Sequence, residues 1–344
     1  MKGLVMQTNN RTAITNTSYG NPLTQDGINL YWSIYKNLEK ELIALTDIIY
    51  IDDAQKGVYS VRIAELIIRT STEIESLCKD LFATLGVPFN KKILYFDGHC
   101  IQEFATRWDI EKKAVEIIHP FIRFTQRELT PFRNAIERTA TSSNPNKWKL
   151  AYNDVKHNFR NLLSSATIEV FIEALAALYL LNVYARGYNK SISLPSRENA
   201  ENFDATMGSS LFALKVQKVF DAKCVSADKI ELANVPYRPE CTYRIDPVHK
   251  SLVGIQEVLK KCHEEARGFV KTAAFDLIHS GEIKLPSVSG ALSQADTEKI
   301  SLKAEELALG NHHKEFCRAV TAMQYTASLV CPPQTTPPPT VPQM

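Results

Sequence analysis

The stretch Lys147-Trp148-Lys149-Leu150-Ala151-Tyr152-Asn153-Asp154-Val155-Lys156-His157-Asn158-Phe159-Arg160 carries polar and aromatic chemistry more densely than any other window of the chain. Read as a helix, it places Asn153 and His157 one turn apart on one face. Arg160 follows His157 by three and is expected on the same stripe, with Lys156 beside it. An amide, an imidazole, an ammonium and a guanidinium along one edge can bind a phosphate, move a proton and stabilise an oxyanion. The same residues equally suit a hydrogen-bonded junction between helices.

The flanks set the limits of this helix. Asn144 can cap it and Pro145 suits its first position, which predicts a helix over 145–162. Leu163-Ser164-Ser165 then turns the chain into a second helix over 167–186, with Gly187 as its cap. This second helix holds the most apolar run, 168–184, broken by Glu169 and Glu173 one turn apart. Burying those two carboxylates in lipid costs about 3 kcal/mol each. The run therefore reads as a core helix with one polar edge, not a membrane span. Ala174, Ala176 and Ala177 permit close helix approach.

Two more helices precede the motif. Over 28–51, Tyr31, Tyr35, Leu38, Leu42, Leu45 and Ile49 alternate steps of four and three and form one apolar face. Over 58–85, Ile63, Ile67, Thr70, Ile74, Leu77 and Leu81 form another. Glu65–Arg69 and Glu75–Lys79 are helix-supporting pairs, and Gly86 with Pro88 is a stop signal. Between 87 and 143 lies an insertion. In it Gln102–Ile110 suits a short helix and Val115-Glu116-Ile117-Ile118 a strand. Its end interleaves aromatics with Arg123, Arg127, Arg133 and Arg138, a pattern that can serve RNA through stacking and phosphate pairing. A bundle side with solvated arginines is the commoner outcome of such a pattern. Four long helices with short turns, apart from one insertion, predict a mainly α protein built on an antiparallel four-helix bundle.

This motif window resembles the HEPN superfamily, helical bundles that include many prokaryotic RNases and toxin-like defence proteins. The family signature is an Arg, four to six residues, then a His, with a polar residue often after the Arg. Asn153 matches the polar position and His157 the His, while the Arg positions hold Leu150, Ala151 and Tyr152. The sequence looks closest to a subgroup with a Trp-x-x-Ala-Tyr-Asn-x-Val-Lys-His pattern, met nearly in register by Trp148, Ala151, Tyr152, Asn153, Val155, Lys156 and His157. The resemblance spans about 30–188. It implies an RNA-directed, cytoplasmic protein of a defence, toxin–antitoxin or stress system, working as a homodimer in which two motif helices build one composite site. It also implies metal-independent ribonuclease chemistry, in which the RNA 2′-hydroxyl attacks the adjacent phosphate. His157 is then the acid or base, since an unperturbed imidazole titrates near pH 6.5. Asn153 orients it or binds phosphate, and Lys156 and Arg160 stabilise the pentavalent phosphate. Tyr152 and Trp148 contact substrate, and Glu73 of the second helix either faces the motif helix or, more commonly for such a residue, is a solvated carboxylate. The rival implication is a non-catalytic scaffold or partner-binding module, in which Asn153, His157 and Tyr152 form a buried polar network.

Composition bounds the rest. The chain has 344 residues, 44% of them hydrophobic, with a formal net charge of +2. It is long enough for two domains, and as a whole it is no strong binder of polyanions. The seven cysteines form no Cys-x-x-Cys pair and are odd in number, so they read as reduced thiols. His312, His313, Glu315 and Cys317 match no strong zinc spacing. Phosphate-cradling glycine loops and nucleophile elbows are absent, so neither metal nor cofactor is expected. After Lys2 the run Gly3-Leu4-Val5-Met6 is too short for an export signal.

Four regions are expected: an arm over 1–27, the bundle over 28–190, a C-terminal α+β region over 191–330, and a Pro-rich tail over 331–344. Residues 188–206 read as a linker. Within the C-terminal region, strands are expected over 211–219 and 242–245. Helices are expected over 248–280, broken near Gly268, and over 296–309 and 312–329.

Overall fold

The computed structural model describes residues 22–87, 96–135, 146–187, 190–219, 222–226, 229–232, 235–284 and 292–332. Among them the protein is mainly helical, with short strands. Most of the expected arm, the cap pair Asn144-Pro145, Arg138 and all but the first two residues of the Pro-rich tail lie outside the described residues. The chain divides into two compact units, Met1–Arg186 with Ser209–Ala213, and Gly187–Gly208 with Leu214–Met344.

In the first unit α1 spans Gln25–Thr46. It begins where the hydroxyl of Thr24 accepts from the Gly27 amide at 3.2 Å, so part of the expected arm is helix. Tyr31, Tyr35, Leu38 and Leu42 are buried as the stripe requires. The helix stops short of Ile49 because the chain turns there into β1 (Ile51–Asp52). Helix α2 (Val61–Thr84) starts on Ser60, whose hydroxyl accepts from the Ile63 amide at 3.2 Å. All six residues of its expected stripe are buried, each apolar one stabilising the fold by about 1.5–3 kcal/mol. Gly86, at φ +66, provides the left-handed stop.

The insertion is described over 96–135. It holds α3 (Ile101–Trp108), β2 (Val115–Ile117), β3 (Ile122–Arg123) and β4 (Glu128–Leu129). Strand β3 runs parallel to β1, pairing Ile51 with Ile122. The motif helix α4 (Lys147–Leu162) and helix α5 (Ile168–Gly187) follow. Helix α2 packs against α1 and α4. Tyr179 of α5 lies 5.6 Å, ring to ring, from Tyr35 of α1, and Tyr184 stacks on Trp108 of α3 at 4.5 Å. Helix α5 is apolar around most of its circumference and is enclosed by protein, as a core helix should be.

The second unit contains elements where a linker was expected, namely β5 (Ile192–Leu194) and α6 (Arg197–Glu201). The hydroxyl of Ser196 caps α6 by accepting from the Asn199 amide at 3.3 Å. The expected strand over 211–219 is two strands, β6 (Phe212–Leu214) and β7 (Val216–Lys218), which join different sheets. β8 (Ala222–Ser226) and β9 (Lys229–Leu232) pair antiparallel. After β10 (Tyr243–Pro247), α7 (Val253–His279) passes through Gly268 without a break. It packs against α8 (Gln294–Asn311) around Cys262, Ala266, Ala273, Ile300 and Ala304. Helix α9 covers only His313–Thr321, and the remainder of the expected helix is β11 (Tyr325–Leu329). Alternate burial of Tyr325 and Ala327 shows why the two-residue period prevails there. The sheet order is β5-β11-β10-β7. No disulfide forms among the described cysteines.

One buried carboxylate ties a distant segment to the helices of the first unit. Glu39 of α1 is 1% exposed. Its Oε1 accepts from the Ser209 hydroxyl at 2.7 Å, the Ser210 amide at 2.7 Å, the Leu211 amide at 3.3 Å and the Tyr35 hydroxyl at 3.1 Å. Its other oxygen pairs with Lys36. Segment 209–213 is thereby held so that the Ile118 amide donates to the Leu211 carbonyl at 2.9 Å. Strand β6 then completes the sheet β4-β2-β6.

Burial pushes the Glu39 carboxyl up, but the bonds from Lys36, Ser209 and Ser210 outweigh it and hold the pKa below its ordinary value. The resulting stability is present above the ordinary carboxylate range and is lost as pH falls through the lowered pKa. Glu39→Ala should therefore cost about 3 kcal/mol in denaturant unfolding at neutral pH, with the deficit shrinking in acid. A loss that stays constant into acid would refute the electrostatic account.

Candidate functional site

The motif helix has two distinct faces. Trp148, Ala151, Tyr152 and Val155 are buried, while Asn153, Lys156, His157 and Arg160 are exposed. The buried face is the one that meets the neighbouring helices. Trp148 is 1% exposed. Its indole N–H donates to the Pro131 carbonyl at 3.0 Å. Its ring lies edge-on to Phe96 at 6.1 Å and to Phe132 at 6.3 Å.

Two expectations are corrected by this burial. Trp148 is a core anchor, not a substrate contact. The Tyr152 ring is 5% exposed and cannot stack on a base. The Tyr152 hydroxyl oxygen accepts from Lys156 Nζ at 3.1 Å, and the ammonium lies 4.9 Å from the ring centre. That hydrogen bond holds the Lys156 pKa above its ordinary value.

Asn153 and His157 share one face, as a four-residue step requires. Neither they nor Arg160 make a side-chain hydrogen bond or ion pair among the described residues. The buried Asn153–His157–Tyr152 network of the scaffold reading is therefore not formed within the chain. Arg160 is a further correction. Asn158 has φ −147 and ψ 56, which breaks the helix between His157 and Arg160. Asn favours such breaks because its amide competes for backbone hydrogen bonds. The three-residue step from His157 consequently does not carry Arg160 onto the same stripe.

Glu73 does not serve the motif helix as expected. Its charge acts on Tyr31 of α1, and burial pushes its own carboxyl up. The α2 carboxylate within electrostatic reach of Lys156 is Glu75. Helical phase explains the exchange, since two residues along α2 turn the side chain to the far side of the buried stripe. The interleaved arginines are also spoken for in part. Arg127 donates to the Ile117 and His119 carbonyls at 2.8 and 3.1 Å, and Arg123 lies 5.7 Å from the Tyr50 ring centre.

Space for a small ligand lies at the N-terminal end of α4, away from the exposed stripe. A cleft of about 330 Å³ is bounded by the 126–134 loop, by Asn146 and Lys147, and by Glu169 and Glu173 of α5. No signal in the motif window pointed to it. The pair Glu169 and Glu173 on an otherwise apolar helix was the trace it left in the sequence. No group of three His, Cys, Asp or Glu side chains among the described residues could hold a metal ion. His313 and Cys317 sit 3.6 Å apart on α9, and His312 faces Glu265 at 3.0 Å.

Comparison with family models, with curated proteins and with solved structures returns no match to this chain.

The two faces of α4 should separate cleanly in stability measurements. Trp148→Ala should cost about 3–5 kcal/mol. Asn153→Ala, His157→Ala and Arg160→Ala should each stay within about 0.5 kcal/mol. Urea unfolding of the four variants checks this, and a strongly destabilised His157→Ala would mean that the exposed face is structural.

Proposed function

We propose that the first unit is a HEPN-like, RNA-directed module, with α1, α2, α4 and α5 as an antiparallel four-helix bundle and 87–143 as its insertion. The observation that carries this reading is the open stripe of α4. Asn153, Lys156 and His157 lie exposed on consecutive turns and spend little of their chemistry on the fold. A lone stripe lacks the walls that exclude water and fix a phosphate. Two stripes brought together by a homodimer supply them. His157 then moves the proton of the 2′-hydroxyl or of the leaving oxygen. Asn153 and Lys156 hold the phosphate, the ammonium neutralising charge as it develops. Arg160, across the break at Asn158, approaches the phosphate from the neighbouring surface.

A second reading has its own support. Positions 150–152, where the family carries its Arg, hold an exposed Leu150 and the buried Ala151 and Tyr152. A motif without that cation suits a non-catalytic module whose stripe docks on a protein partner.

Incubating the protein with mixed RNAs, with and without a chelator, distinguishes the two. The catalytic reading expects cleavage that survives the chelator and falls at least about a hundredfold in His157→Ala with an unchanged melting temperature. Cleavage that His157→Ala leaves intact would overturn it. Absence of cleavage by the parent chain supports the partner-binding module.

A further inference from the structure

The cleft beside the start of α4 holds a charge arrangement that the α4 stripe does not use. Its cations are mostly committed. Lys147 Nζ pairs with Glu169 at 3.2 Å. Lys56 Nζ pairs with Asp53 at 2.7 Å and lies 4.7 Å from the Phe124 ring centre. Glu173, one turn beyond Glu169 and half-buried in the wall, has no hydrogen bond or ion pair among the described residues. Burial pushes its carboxyl up, against the pull of Lys147 and Lys56 and with Glu169 adding to the rise. A half-buried carboxyl with no partner costs free energy, and a cation from outside the chain would offset that cost.

The same lining also carries donors, Arg133 and Asn146. Arg133 is exposed, and its guanidinium donates to the Thr130 hydroxyl at 3.2 Å, which among the described residues leaves most of its fork open. Asn146 is 9% exposed and accepts from the Asn134 amide at 3.2 Å through its oxygen, so its amide nitrogen remains a donor. The lining therefore offers a carboxyl together with a guanidinium and an amide. A metal ion does not satisfy the carboxyl side, because no three-ligand group is present among the described residues. A volume of about 330 Å³ is at the small end of ligand sites and admits a single small molecule.

We propose that this cleft binds a small zwitterion of the amino-acid class, its ammonium on Glu173 and its carboxylate on Arg133. Lys147 and Glu169 remain paired with each other. The site is independent of the RNA-directed reading, since it uses none of the exposed residues of α4.

The test is thermal unfolding of the full chain with each of the common L-amino acids. Putrescine serves as an amine without a carboxylate and propionate as a carboxylate without an amine. At least one amino acid should raise the midpoint by about 2 °C or more. Neither half-ligand should match it. The shift should vanish in Glu173→Gln and fall in Arg133→Gln, an exposed position where the fold is not at risk. Isothermal titration of the responding amino acid into parent and variants should show the same order. No response to any amino acid, a full response to putrescine alone, or a shift retained in both variants would each overturn the proposal.

Discussion

The buried carboxylate of Glu39 is the interaction on which the first unit depends. A lone charge in a helix core is expensive to desolvate. Here it is offset by a lysine on the same helix, two hydroxyls and two backbone amides, the amides and one hydroxyl coming from residues about 170 positions later in the chain. The consequence is topological. A five-residue segment leaves the second unit, returns to the helices of the first, and supplies the third strand of the sheet in the insertion. His119 sits close enough for the Glu39 charge to act on it, although burial dominates and pushes its pKa down. The insertion and the helices are thus joined by electrostatics as well as by packing.

Helix α5 sets the second constraint. Because nearly its whole surface is apolar and enclosed, its neighbours must cover it on every side. α1 does so through Tyr35, α3 through Trp108, and the turn before α2 through backbone bonds from Ile168 and Glu169 to the Val58 and Lys56 carbonyls. Those last bonds bring Lys56 beside the polar edge of α5. Lys56 itself pairs with Asp53 and Glu169 takes Lys147 of α4, while Glu173 has no ion pair among the described residues.

The motif helix illustrates how one stretch serves two purposes. Its aromatic residues, Trp148 and Tyr152, went to the core because their large apolar surfaces gain most from burial. Its amide and imidazole stayed outside, where water solvates them, and its ammonium is held at the surface by the Tyr152 hydroxyl. The break at Asn158 then separates Arg160 from this set, so the polar stripe is shorter than a regular helix would make it.

Much of this was legible from sequence for simple physical reasons. The apolar steps of α1 and α2, the Gly86 boundary, and the enclosed nature of α5 all follow from local periodicity and capping chemistry. So does the sharing of one face by Asn153 and His157. Other features required the tertiary structure. Nothing local reveals that Glu39 binds a segment some 170 residues away, because that contact is decided by where the chain returns. The split of 211–219 into strands of two sheets, and the conversion of 325–329 from expected helix to strand, depend on which edges were available for pairing. The fate of Trp148 and Tyr152 was a choice between core and substrate that an aromatic residue alone cannot disclose. Helical phase decided whether Glu73 or Glu75 faces the motif, and one-residue precision in phase comes only from the packed neighbours. The backbone break at Asn158 is likewise a tertiary outcome. An Asn permits it, but the surrounding packing determines that it occurs.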